Sequence, residues 1–145
     1  MTEAAKTPDV ATRSRLREVC FLLDGEGRVL WSDASASPHG LPDSRQRWEA
    51  IWSRREELAE IAHSHPLGPL AFSSEDETTM AALVAALGRR PAFSAVAPEG
   101  SIRRGPDGLD RVLARGEEPA WAEELRRASG MMLDDRLQNE EREEA

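Results

Sequence analysis

Two of the three histidines in this 145-residue chain stand one residue apart, in His63-Ser64-His65, and Ser73 and Asp76 follow close behind. An imidazole offers a nitrogen lone pair and a carboxylate an anionic oxygen; two of the first and one of the second make a ligand set for zinc. Hydrolytic zinc centres use three protein ligands and leave the fourth position to water, whose pKa drops from about 15.7 towards about 7. His63, His65 and Asp76 suit that role, so the chemistry suggested first is metal-assisted hydrolysis. Each part also has a plainer use. Ser73-Ser74-Glu75-Asp76 fits a capping box, in which Ser73 and Asp76 serve only a helix start, and an HxH pair arises by chance on many strands. Their joint occurrence in this order is harder to ascribe to chance.

The elements around these residues must make them converge. The run AEIAHSHP reads as a short strand, and strand alternation puts His63 and His65 on one face. Pro66, Gly68 and Pro69 end that strand and build a loop. Ser73 then starts a helix that runs through Met80, Leu83, Val84 and Leu87 to a stop at Gly88, with Asp76 in its first turn. Upstream, EVCFLLD (18–24) and RVLWSD, separated by the turn residues of GEG, read as a β-hairpin. ASASPHGLP (34–42) reads as an exposed loop, after which Asp43 or Ser44 caps a helix. Trp48, Ile51, Trp52, Arg55 and Leu58 recur in that helix at spacings of three and four, an aromatic stripe facing a sheet. Downstream, AFSAVAPEG and SIRRG read as strand, turn and return strand, and LDRVLAR as a weaker strand or irregular edge. The order ββαβαββ predicts an α/β sandwich with a mixed sheet. A helix over 117–130 with Trp121 and Leu125 on its apolar side completes the chain's order.

HSHPLGPLAFSSED, read as HxH, seven residues, Ser, two residues, Asp, resembles the signature of the JAMM (MPN, or JAB) zinc metalloprotease family. The resemblance covers roughly residues 16–105. It implies the cytidine-deaminase-like JAB/MPN fold, zinc held by His63, His65 and Asp76, and a Ser73 that helps hold the transition state. The family also carries a general-base glutamate at the start of a hydrophobic strand, in a setting like E-x-C-G-L-L. Glu18 opens EVCFLLD, with Cys20, Leu22 and Leu23 matching and Phe21 where glycine is common, so Glu18 is assigned as the base. Glu26 lies in the turn, Glu60 alternates onto the face opposite the histidines, and His39 is read as a solvent-exposed loop residue outside the site. With 17 residues before Glu18, the expectation is a version of the fold abbreviated at its N-terminus.

Composition bounds the rest. The length suits one domain: a flexible leader over 1–15, the catalytic domain over 16–115, a C-terminal helix over 116–130 and an acidic tail over 131–145. A net charge of -8 argues against indiscriminate nucleic-acid binding, which needs a basic surface; Arg89, Arg90, Arg103 and Arg104 read as the solvated ends of a strand. No apolar run approaches the roughly 18 residues of a membrane span, and no apolar signal-peptide core is present at the N-terminus. The single cysteine, Cys20, reads as a core thiol and suits a reducing compartment, so the expected location is the cytoplasm. The resulting expectation is a zinc-dependent peptidase or isopeptidase whose substrate, by resemblance, is the C-terminal tail of a ubiquitin-like or sulfur-carrier protein. The alternatives are a non-proteolytic RadC-type JAB domain and a metal-free MPN interaction scaffold.

Overall fold

In the computed structural model, which describes residues 16–38, 40 and 44–131, the chain forms an α/β domain around one six-stranded mixed sheet. The strands are β1 (Val19–Leu23), β2 (Val29–Ala34), β3 (Glu60–Ser64), β4 (Ala92–Ala97), β5 (Gly100–Arg104) and β6 (Asp110–Ala114). The helices are α1 (Arg45–Ser53), α2 (Ser74–Leu87) and α3 (Trp121–Ser129), the last preceded by a 3-10 turn at Arg115–Glu117. The sheet order is β2-β1-β3-β4-β5-β6. Only β3 and β4 run parallel, because α2 makes the crossover between them, as a parallel pair requires. The hairpin β1–β2 and the antiparallel pairing of β1 with β3 put the start of β1 beside the end of β3, where the histidines lie.

Alternation sorts the side chains of the central strands onto two faces. Cys20, Leu22, Ile61 and Phe93 pack with Ala50 and Ile51 of α1 and Met80 and Leu83 of α2. On the other face Val19, Phe21, Leu23, Ala62 and Val96 pack with Trp121, Ala122 and Leu125 of α3. The central strands are therefore covered on both sides, and β1 and β4 are buried along their whole length. A buried arginine fastens α3 down. Arg126, fully buried, donates from Nε to the Ala97 carbonyl (3.0 Å) and from Nη2 to the Gly100 carbonyl (3.2 Å), and pairs with Glu118 through two bonds of 2.7 and 2.8 Å.

Several sequence expectations need correction. The first helix ends at Ser53, and a turn over Arg54–Glu57 follows, so Arg55 and Leu58 lie outside it. Its core-facing stripe is Ala50 and Ile51 with Trp48 at the margin, while Trp52 is 52% exposed with the Arg55 guanidinium stacked 4.1 Å from its ring centroid. Trp52 sits about 100° around the helix from Ile51, which turns it to solvent and lets the cation cover its face. Within LDRVLAR, Asp110–Ala114 forms β6, a largely exposed edge strand as one of the two expectations has it, but paired along β5 in unbroken register rather than irregular. The last helix starts at Trp121 instead of residue 117 because Pro119 interrupts the chain and Arg115–Glu117 takes the tighter turn. Of the two candidate caps, Ser44 is observed in that role, as expected: its Oγ accepts from Arg47 N–H at 3.2 Å. Asp43, His39, the proposed leader and the tail beyond Met131 lie outside the described residues. Ser35, Ser37 and Pro38, read as exposed loop, are half-buried.

Candidate metal centre

The end of β3 and the start of α2 bring His63, His65 and Asp76 together. His63 is in β3, on the face of Ile61; His65 is just past the strand, yet its N–H still donates to the Val96 carbonyl at 2.7 Å, so it stays in line with the sheet. The two Nε2 atoms stand 2.9 Å apart, and each is 3.3 Å from the same oxygen, Asp76 Oδ2. All three side chains are largely withdrawn from water, at 17%, 8% and 19% exposure.

Local sequence explains why Asp76 reaches this point. Ser73 is the N-cap of α2: its Oγ accepts from Asp76 N–H (3.0 Å), while Asp76 Oδ2 accepts from Ser73 N–H (2.9 Å). The capping box anticipated as a rival to the ligand reading is present, and the same oxygen that closes it faces both histidines. Cap and ligand are compatible uses of one carboxylate, because a helix N-terminus favours negative charge where the box holds it.

Three electron-rich atoms this close and this buried are costly unless a proton or cation lies among them. The set fits zinc. Ligand atoms about 2.0–2.1 Å from a tetrahedral ion stand about 3.3 Å apart, close to the observed edges. His65 Nδ1 lies 3.0 Å from the Pro69 carbonyl oxygen; a proton on Nδ1 donated there leaves Nε2 with its lone pair free for a metal. This carbonyl is a site feature the sequence reading missed, since a backbone acceptor has no residue signature. Electrostatics follow the same arrangement. Burial would raise the Asp76 carboxyl, but hydrogen bonds from His63 and His65 hold it far below the usual carboxylate range. Burial works against charge on His65, and the bonds to Asp76 and Pro69 outweigh it, leaving its pKa above the ordinary value.

Glu18 lies on the same face as Cys20, whose partner across β1–β3 is His63. It lines one cavity with His63, His65, Ser73 and Asp76. Burial raises its pKa above 4.5 against the attraction of both histidines, and the charges of Asp76 and Glu75 add to the rise. Its backbone is pinned on two sides. Ser64 Oγ, fully buried between the histidines, accepts from Val19 N–H (2.8 Å) and donates to the Arg17 carbonyl (3.4 Å), while Glu18 N–H donates to the Ser37 carbonyl (3.1 Å). Ser64 is thus a second positioning residue the sequence reading passed over, although the alternation that turns the histidines to one face turns Ser64 towards the other.

The competing groups fall elsewhere. Glu60 is on the opposite side, bonded to Ser94 and Arg103, and Glu26 pairs with Arg28 in the hairpin turn. Arg104 pairs with Glu77 and Asp110, and Arg89 donates to the Arg55 and Leu58 carbonyls, so these arginines are bound within the fold. Cys20 is buried with its thiol pushed up to about 12 by burial, a packing group and no nucleophile. Among the described residues, no helix is long and apolar enough to cross a membrane. A family model described as prokaryotic homologs of the JAB domain matches residues 10–104. No curated protein matches the chain.

Proposed function

This chain belongs to the prokaryotic JAB-domain homologues, and from that premise we propose that it is a zinc-dependent peptidase or isopeptidase. The observation that carries the reading is the convergence of His63 Nε2, His65 Nε2 and Asp76 Oδ2 in one cavity with the half-buried Glu18 carboxylate, which immediately precedes β1. Zinc bound by those three side chains would polarise the scissile carbonyl and acidify a water molecule. Glu18 takes the proton of the attacking water and returns it to the leaving amine; a carboxyl group whose pKa burial has raised is better matched to that exchange than an exposed one. Ser73 Oγ already accepts from Asp76 N–H, which leaves its own proton to donate to the developing oxyanion. Asp76 contacts both imidazoles, and the Pro69 carbonyl holds that of His65.

The substrate this reading favours is the C-terminal tail of a ubiquitin-like or sulfur-carrier protein, an inference from family resemblance. The buried single cysteine suits a reducing, cytoplasmic setting. A metal-free interaction scaffold has no use for three buried donors aimed at one point, and the acidic net charge gives a DNA-linked RadC-type role little support.

Metal analysis of the purified full chain tests the centre. We expect about one zinc per chain, the stoichiometry of a single three-ligand site, and its loss in Asp76→Ala; a folded wild-type protein that takes up no zinc would sink the hydrolase. Cleavage of a ubiquitin-like fusion by Glu18→Gln tests the base, since undiminished turnover in that variant removes Glu18 from the mechanism and leaves the centre standing.

A further inference from the structure

The far end of α3 is joined to the residue that precedes Glu18. A helix leaves its last four carbonyls without partners of its own, and in α3 these belong to residues 126–129. Gly130, in the left-handed conformation, gives its N–H to the Arg126 and Arg127 carbonyls. The remaining two are met by one residue from the start of the fold: Arg17 donates from Nε to the Ala128 carbonyl (3.0 Å) and from its backbone N–H to the Ser129 carbonyl (3.1 Å). A guanidinium suits that place, since the C-terminal end of a helix carries partial negative charge.

Arg17 is in turn continuous with the backbone that carries Glu18. Its carbonyl accepts from Ser64 Oγ, between the two histidines, while the Glu18 N–H donates to the Ser37 carbonyl (3.1 Å) and lies 3.3 Å from Ser35 Oγ. Three supports therefore meet around the Arg17–Glu18 peptide: β3, the segment 35–37 and α3. Of these, α3 is anchored away from the cavity. Trp121, Ala122 and Leu125 are buried against the opposite face of the sheet, and Arg126 ties the helix to the Ala97 and Gly100 carbonyls at the β4–β5 turn. The placement of a reacting group matters steeply, a displacement of about 1 Å costing about 10²-fold in rate. Resting on the hydrolase reading, we infer that α3 is the brace that holds Glu18 at the metal centre, and that Arg17, which does not line the cavity, is the positioning residue that connects the two.

Two measurements on the full chain test this, with Arg17→Ala as the disrupting variant and Arg17→Lys, which keeps a cationic donor, as the rescue. Arg17 is exposed and its backbone bond to Ser129 survives either change, so both variants should fold. In metal-free protein, amide hydrogen exchange followed by 15N NMR should quicken about fivefold at Glu18 and Val19 in Arg17→Ala, with the Leu22 and Leu125 amides at wild-type rates and Arg17→Lys restoring the first two. In zinc-loaded protein acting on the ubiquitin-like fusion, kcat should fall about tenfold in Arg17→Ala with KM unchanged, and Arg17→Lys should regain most of it. Wild-type exchange at Glu18 and Val19 in Arg17→Ala, or exchange quickened equally at Leu22 and Leu125, overturns the brace; so does an unchanged kcat in an active enzyme. A wild-type protein that binds zinc and cleaves nothing removes the peptidase reading instead, and the exchange pattern then decides the brace alone.

Discussion

Glu18 is a carboxylate held partly out of water beside two imidazoles and a second carboxylate, and its raised pKa has a consequence for stability. The folded state binds the Glu18 proton more tightly than the unfolded chain does. Its contribution is therefore complete below the ordinary value of 4.5 and is lost as pH rises through the raised one, so at neutral pH the ionised group opposes folding. Glu18→Gln should unfold at a higher temperature than the wild type in metal-free protein at pH 7, with the difference vanishing below about pH 4.5, where both states are neutral; thermal melts across that range check it. The same variant should keep its zinc and lose hydrolysis by about 10²–10⁴-fold, the usual worth of a positioned base. His65 shows the converse dependence of a residue on its setting: the Pro69 carbonyl, not a neighbouring side chain, selects the nitrogen left to a metal.

The capping box of α2 couples an element's stability to the site. Ser73→Ala removes the side-chain acceptor for Asp76 N–H, which should cost about 1 kcal/mol of stability. The Asp76 carboxylate keeps its bond from the Ser73 backbone N–H in this variant, so zinc affinity should fall by less than about tenfold; parallel urea unfolding and competitive zinc titration read the two effects. Ser64 plays the equivalent part for β1, and its replacement by alanine leaves the Val19 N–H buried and unpaired. The α3 element depends on Arg126. Arg126→Ala strands the buried Glu118 carboxylate and two carbonyl acceptors at the β4–β5 turn, and the expected loss is about 3–5 kcal/mol in urea denaturation. Replacing Arg126 and Glu118 together by apolar residues of similar volume should recover much of it, since the pair's own desolvation cost goes too. Gly100 is fixed by the sheet itself: a Cβ there would stand 2.5 Å from the Leu113 carbonyl oxygen across the β5–β6 pair.

Across the whole molecule, the carboxylates of Asp24, Asp76, Glu77, Asp110 and Glu123 are held below their ordinary pKa, by hydrogen bonds and ion pairs with Arg28, the two histidines, Arg104 and Arg115. A lowered carboxyl pKa gives stability that is present above the unfolded value and lost as pH falls through the folded one. The metal-free protein should thus lose stability steadily from about pH 5 downwards, as the urea midpoint will record, with the exposed pairs contributing least at high salt. A metal that binds the folded state alone adds to stability, by about 2.7 kcal/mol at a free concentration 100 times its Kd; on the proposed function zinc should therefore raise the melting temperature, and a chelator should return it to the metal-free value. The residue types of the candidate metal centre, the strand and helix that carry them, the hairpin and the α/β class were all legible in the sequence. Ligand chemistry is fixed by residue identity, and the periods of 2 and 3.6 are written in the order of apolar residues. The length of α1, the outward turn of Trp52 and the regularity of β6 were not, because they depend on which neighbours compete for each surface. Nor could spacing alone choose between a helix cap and a ligand at Asp76. Tertiary structure laid the start of α2 against the end of β3, so that the oxygen that closes the cap also faces both histidines; it also supplied the Pro69 carbonyl and the Ser64 hydroxyl, which meet their partners only where distant segments come together.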